Sequence, residues 1–191
     1  MNPMREIKID KVTLNVGCGD DAAKLERAKK LLEYLTNNQK PVITKSKKRS
    51  TFGVPKHMPI GMKVTLRKEK AIEFLKSVLQ STENKVKLSQ IDKEGNINFG
   101  IKEYIDLPDI RYQHAIGMMG FDVAVTLERP GYRIKRRRIQ KRKIPKNHRI
   151  NKEEVASWLK EKFGVQVEWA DWYVAWFEWI NIQKGGIDRR F

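Results

Sequence analysis

Four stretches of this chain alternate apolar and polar residues with a period of two, and that alternation decides most of what the chain can fold into. Val12, Leu14 and Val16 interleave with Lys11, Thr13 and Asn15; Met62, Val64 and Leu66 interleave with Lys63, Thr65 and Arg67. Ile97, Phe99 and Ile101 alternate with Asn98, Gly100 and Lys102. Phe121, Val123, Val125 and Leu127 alternate with Asp122, Ala124, Thr126 and Glu128. A strand sends successive side chains to opposite faces, so each stretch makes a half-buried strand with one apolar row. Val42 and Ile43, β-branched and directly after Pro41, mark a further strand start.

Other segments carry the helical period. Ala22, Leu25, Ala28, Leu32 and Leu35 recur at spacings of three and four, after Asp20 or Asp21 as cap and before Thr36-Asn37-Asn38. Ile72, Leu75 and Leu79 mark a second amphipathic helix over roughly 69–80. Asn151 to Glu154 resembles a capping box ahead of Val155, Trp158, Leu159 and Phe163, a stripe that stops at Gly164. Val165 to Val167 reads as an edge pairing, and residues 108–120 as an irregular connection. Strands with two intervening helices and no βαβα repeat predict an α+β domain whose apolar sheet face meets the helices. The other face is then polar and free: Lys11, Thr13, Asn15, Lys63, Thr65 and Arg67.

Charge narrows the function. The 191 residues hold 40 Lys and Arg against 23 Asp and Glu, a net charge of +17. Such an excess repels itself in the compact state and points to a polyanion, nucleic acid first and an anionic membrane second. It is concentrated in two places. Between Val42-Ile43 and Met62 runs a long connection with Lys45, Lys47, Lys48 and Arg49, then Gly53, Pro55, Pro59 and Gly61; a loop of this length in a compact domain is usually functional. After Arg129-Pro130-Gly131, residues 133–149 contain no acid at all. Tyr132, Ile134, Ile139, Ile144 and Pro145 give that arm anchoring points, so it reads as a segment that orders against phosphates.

Catalytic chemistry is not written in the chain. His57, His114 and His148 are scattered, the single Cys18 has no partner, and no Walker loop, GxSxG or HExxH motif occurs. Neither a metal nor a cofactor is expected. Cys18 reads as a small packing residue in a Gly17-Cys18-Gly19-Asp20 turn, and its isolation suggests a reducing compartment. Met1 to Asp10 is mixed and charged, unlike a signal peptide, and no apolar run is long enough to predict a membrane-spanning helix. Beyond Glu168, Trp169, Trp172, Tyr173, Trp176, Trp179 and Ile180 lie at helical spacing, a docking face whose partner the sequence does not name.

Several segments, taken in order, resemble one family: VTLNVGCGD, LTNNQKPVITKSKK, MPIGMKVTLR, GNINFGIKE and GFDVAVTLERPG. They are similar to large-subunit ribosomal protein five, the universal 5S-rRNA-binding family, and the LERPG ending with its basic extension resembles the archaeal and eukaryotic branch. The resemblance covers about residues 7–126. It implies an antiparallel sheet with helices packed on one face, a long basic loop between central strands, and a basic C-terminal extension. The expected organisation is a 5S-rRNA-binding α+β domain over 1–128, a basic arm and helix packing on it over 129–168, and the Trp-rich tail over 169–191.

The function implied is structural: binding 5S rRNA, attaching it to large-subunit rRNA in the central protuberance, and touching peptidyl-site tRNA. By motif match, rRNA contacts fall on Asn15, Gln39, Lys40, Lys63, Thr65, Arg67, Asn98 and Phe99, with Lys11 and Thr13 on the same face. Arg133, Arg136, Arg137, Arg138, Lys141, Arg142 and Lys143 of the arm join them. Lys47, Lys48, Arg49, Phe52, Val54 and Lys56 fall in the loop implied to approach tRNA. Neighbouring large-subunit proteins and a small-subunit protein across the subunit bridge are the implied protein partners, with no membrane. One departure stands out: Asn38 occupies a position where the family's turn commonly has glycine. Two other readings use parts of the chain. A non-ribosomal nucleic-acid-binding protein or nuclease would use Asp10, Asp20, Asp21 and Asp122, and a peripheral membrane protein would use the arm and tail. Neither explains the ordered series of segments.

Overall fold

A computed structural model describes residues 2–49, 53–108 and 110–168. Its elements run β1 (Lys8–Gly17), α1 (Ala22–Leu35), β2 (Val42–Lys45), β3 (Pro59–Leu66), α2 (Glu69–Ser81), β4 (Lys85–Lys87), β5 (Ile97–Ile101), β6 (Phe121–Glu128), α3 (Arg133–Arg136), α4 (Lys152–Phe163) and β7 (Gln166–Glu168). Phe52 and the Trp-rich tail lie outside the described residues.

Five strands form one antiparallel sheet in the order β2-β3-β1-β6-β5. The period of two resolves as the alternation requires. Val12, Leu14, Val16, Met62, Val64, Leu66, Val123 and Val125 turn to one side and are buried. There α1 packs against β3 and α2 against β1. From the helices Ala28, Leu31, Leu32, Ala71, Leu75, Val78 and Leu79 close the core. Each large aliphatic side chain buried this way contributes about 1.5–3 kcal/mol. The fold is α+β with helices on one sheet face, as the sequence predicts.

Local chemistry sets the boundaries. The Asp21 carboxylate accepts the N–H groups of Ala23 and Lys24 at 2.9 and 3.1 Å and starts α1. That helix ends through Asn37 and Asn38, both left-handed at φ +51° and +64°. Asn38 therefore takes the backbone conformation that glycine supplies in similar turns, and its short polar side chain tolerates it. Cys18 is buried in the turn after β1, where its N–H and that of Gly19 donate to the Ile60 carbonyl at 2.9 and 3.2 Å. Burial pushes its thiol pKa up, the behaviour of a packing residue and not of a nucleophile.

One expectation needs correction. The long connection does not lie between central strands. It joins β2 to β3, and β2 is the sheet edge; β1, the first strand in sequence, inserts between β3 and β6 at the centre. Residues 166–168 make the edge pairing expected of this segment, outside the main sheet. They pair in parallel with β4 in a separate two-stranded ladder, Lys85 opposite Gln166 and Lys87 opposite Glu168. That ladder ties the C-terminal segment down together with Ile150, Val155, Leu159 and Val165, all fully buried in the common core.

Candidate nucleic-acid interface

Strand register assembles the outward face. One row runs Asn98, Ala124, Thr13, Thr65 across β5, β6, β1 and β3. The next runs Gly100, Asp122, Asn15, Lys63, Val42 and reaches the edge strand. Asn15, Lys63, Thr65, Asn98 and Asp122 are exposed, and Lys11, Thr13 and Ala124 half-buried. Small side chains in the middle keep the face flat. Hydroxyls and amides offer donors and acceptors, and Lys63 adds positive charge. Val42, 58% exposed beside Lys63, supplies an apolar contact at the margin. The sequence expectation omitted Ala124, Thr126 and Val42. Only the register reveals them as neighbours, although the alternation of β6 already carried the signal for the first two.

Phe99 is a correction. The segment match placed it with Asn98 toward RNA, yet it is 7% exposed and lies on the helix side with Ile97 and Ile101. Period two permits only Asn98 and Gly100 of this strand to face outward. Gln39 is half-buried and Lys40 exposed in the turn that leads to β2, close in sequence to the edge of the face.

A β-bulge builds a charged corner. The β1–β6 register shifts between Ile9 and Lys11, leaving Asp10 unpaired in the ladder. Its carboxylate, only 9% exposed, accepts Arg67 Nη1 at 2.9 Å and Arg136 Nη1 at 2.8 Å. Arg136 also pairs with Glu128. The hydrogen bond that Arg136 donates to Asp10, opposed by partial burial and helped by the charges of Asp10 and Glu128, leaves the guanidinium pKa raised. Two expected RNA contacts, one on the sheet and one on the arm, thus share an acid in the free protein. Asp10 is engaged as their counter-ion and Asp21 as a helix cap, and no group of His, Cys, Asp and Glu among the described residues could hold a metal ion.

The arm closes on itself instead of projecting. Arg129 is buried at 5% exposure. It pairs with Glu154 at 3.0 Å and donates to the Arg149 and His148 carbonyls at 3.1 and 3.4 Å. Tyr132 Oη donates to the His148 carbonyl and accepts the Ile150 N–H, both at 3.2 Å. The His148 ring nitrogen Nε2 sits 2.9 Å from the Pro130 carbonyl. These contacts pin both ends of the basic segment. Arg133, Arg138, Lys141, Arg142 and Lys143 remain exposed, while Arg137 is half-buried and donates from Nε to the Gln140 carbonyl at 2.8 Å. Sequence reading missed Arg129 as a structural cation, because a lone arginine before Pro-Gly looks like the start of a charge run.

In the β2–β3 connection, ladder pairing continues past the strands. Ser46 N–H donates to the Met58 carbonyl and His57 N–H to the Ser46 carbonyl, both at 2.9 Å. Lys47, Lys48, Arg49 and Lys56 are exposed beyond that point and Val54 is half-buried. No helix among the described residues is long and apolar enough to cross a membrane.

Comparisons with known proteins agree on one assignment. Residues 2–54 match the family model described as Ribosomal protein L5, and residues 59–157 match the model of the same ribosomal family's C-terminus. The chain is 48% identical over 169 residues to the large ribosomal subunit protein uL5 of Methanosphaera stadtmanae, covering 88% of this chain and 100% of that one. It is 46% identical to uL5 of Sulfolobus acidocaldarius, covering 87% and 93% of the two chains, and 48% identical to uL5 of Nanoarchaeum equitans, covering 87% and 98%. A sheet with one face buried under helices, a polar face opposite, and matches spanning most of the chain lead to one conclusion: the chain belongs to the L5 family of ribosomal proteins, in its archaeal form, and is a structural, non-enzymatic component of the large ribosomal subunit.

Proposed function

We propose that this protein binds 5S rRNA with its open sheet face, attaches it to large-subunit rRNA in the central protuberance, and contacts peptidyl-site tRNA through the β2–β3 connection. The observation that carries the reading is the pair of cross-strand rows, Asn98-Ala124-Thr13-Thr65 and Asp122-Asn15-Lys63. Folded RNA presents shape, unpaired base edges and 2′-hydroxyls. A flat face of amide and hydroxyl groups with flanking cations is chemically matched to those features, and the opposite face is already used by the core. Asn15 and Gln39 supply discrimination, and the cations of residues 133–149 supply mainly phosphate affinity. Lys47, Lys48, Arg49 and Lys56 carry the tRNA contact, with further contacts to neighbouring large-subunit proteins and to a small-subunit protein across the subunit bridge.

The test is a salt titration of binding to 5S rRNA beside an unrelated RNA of equal length. A preference for 5S rRNA should persist at moderate salt. Asn15→Ala should reduce that preference by about 1–3 kcal/mol while leaving the salt slope unchanged. Neutralising the arm should flatten the slope for both RNAs. Equal changes of slope in the two variants would refute the division of roles.

A further inference from the structure

The closed arm encloses a cleft of about 550 Å³. Lys135, Lys141, Arg142, Lys143 and Arg149 line it, together with Tyr132, Ile144 and a single acid, Glu94. Glu94 is taken by Lys135. Lys141, Arg142, Lys143 and Arg149 have no carboxylate within ion-pair distance among the described residues. Arg67, Arg129 and Arg136 nearby each have an acid, while these four cations are gathered around one hollow without one. The cleft is also held in shape. Arg142 N–H donates to the Ile134 carbonyl at 3.3 Å, Arg149 Nε to the Ile144 carbonyl at 3.2 Å, and Tyr132 and Arg129 fasten the two ends.

Uncompensated cations held around one hollow repel one another, and an anion seated among them relieves that repulsion. The volume lies in the range that holds a small organic ligand, well above what a lone phosphate fills. Tyr132 and Ile144, both half-buried, give one wall an apolar character that inorganic phosphate does not need. We infer that the cleft holds a single nucleotide unit of an RNA strand, its phosphate among Lys141, Arg142, Lys143 and Arg149 and its base against Tyr132 and Ile144. The arm then contributes a shaped contact besides its charge. The assignment rests on the RNA-binding reading only for the source of the nucleotide.

The experiment uses the full chain, titrated by calorimetry with 5′-AMP, adenosine and inorganic phosphate at moderate salt. AMP should bind saturably, with a dissociation constant at least about tenfold below those of adenosine and phosphate. Lys141→Glu and Lys143→Glu should each weaken AMP by about tenfold or more. Lys160→Glu, an equal charge change at an exposed site on α4 outside the cleft, should leave AMP affinity within about twofold, with thermal melting confirming that each variant is folded. Hexa-adenylate RNA should displace AMP competitively. Equal affinities for AMP and phosphate, or equal losses in all three variants, would reduce the cleft to diffuse charge and overturn the proposal. AMP binding that hexa-adenylate does not displace would overturn its assignment to an RNA strand. Discrimination between 5S rRNA and a control RNA is a separate measurement, so its failure leaves these outcomes interpretable.

Discussion

Glu154→Gln isolates the ion pair that holds the arm to the domain. Arg129 is buried at 5% side-chain exposure and Glu154 lies at 42%, with 3.0 Å between Nη2 and Oε2. Glutamine retains an oxygen for the Asn151 N–H, which Glu154 accepts at 3.0 Å, so the start of α4 is kept and only the charge is lost. Breaking a fully buried pair costs about 3–5 kcal/mol, because the survivor is left charged without a partner. Here solvent screens one side and Arg129 keeps two backbone carbonyls, so the expected loss is about 2 kcal/mol, the usual value for a hydrogen bond to a charged group. For a chain of this size that lowers the melting temperature by about 4–8 °C.

The loss must also depend on pH. Burial alone would raise the Glu154 carboxyl, but the Asn151 N–H and the hydrogen bond and charge of Arg129 outweigh it and hold the pKa below the ordinary carboxylate range. A depressed folded pKa stabilises above the unfolded value, about 4.3 for glutamate, and the gain disappears as pH falls through the folded value. The difference between the parent and Glu154→Gln is therefore full at neutral pH and closes below about pH 4. Adding Arg129→Met should recover part of the loss, since it removes the stranded cation. Thermal melts at neutral and acid pH read all three quantities. A shift under about 1 °C at pH 7, or one that is unchanged in acid, would refute the view that this pair fastens the arm.

Three further substitutions probe the sheet and its corner. Asp10→Asn frees Arg67 for phosphates and leaves Arg136 with Glu128 alone, so the logarithmic salt slope of RNA binding should steepen by about 0.7–0.9 per arginine engaged; an unchanged slope would mean that neither reaches RNA. Gly61→Ala should destabilise by about 1–3 kcal/mol in urea, because the new Cβ would sit 2.5 Å from the Val16 carbonyl oxygen, whereas Gly17→Ala meets nothing within 4 Å and serves as the control. Asn38, at φ +64°, should accept glycine with little change in the urea midpoint but lose about 1–2 kcal/mol on replacement by valine.

Much of the fold was legible because it depends on local periodicity. Alternation at residues 12–16, 62–66, 97–101 and 121–127 assigned each side chain to the core or the surface, and the structure follows it residue by residue. Phe99 shows the strength of that signal: the segment match placed it toward RNA, while the period of two placed it in the core, where it lies. The helices were legible from their stripes and from Asp21 as cap. Strand order was not. Period two says which face a residue takes but not which strand lies beside it, so neither the central place of β1 nor the edge position of β2 was written in any one segment.

What the sequence alone determined is an α+β chain with one apolar and one polar sheet face, and an excess of positive charge that points to a polyanion. What tertiary structure decided is which polar residues act together. Thr13, Thr65, Ala124 and Asn98 come from four strands and become a row only through long-range register. Asp10 meets Arg67 and Arg136 across 57 and 126 residues of chain. Arg129 leaves the charge run for the interior because Glu154 lies within reach. Burial preferences act within a few residues and can be read from order alone, whereas ion pairs and cross-strand neighbours depend on distances that exist only after the chain has closed on itself.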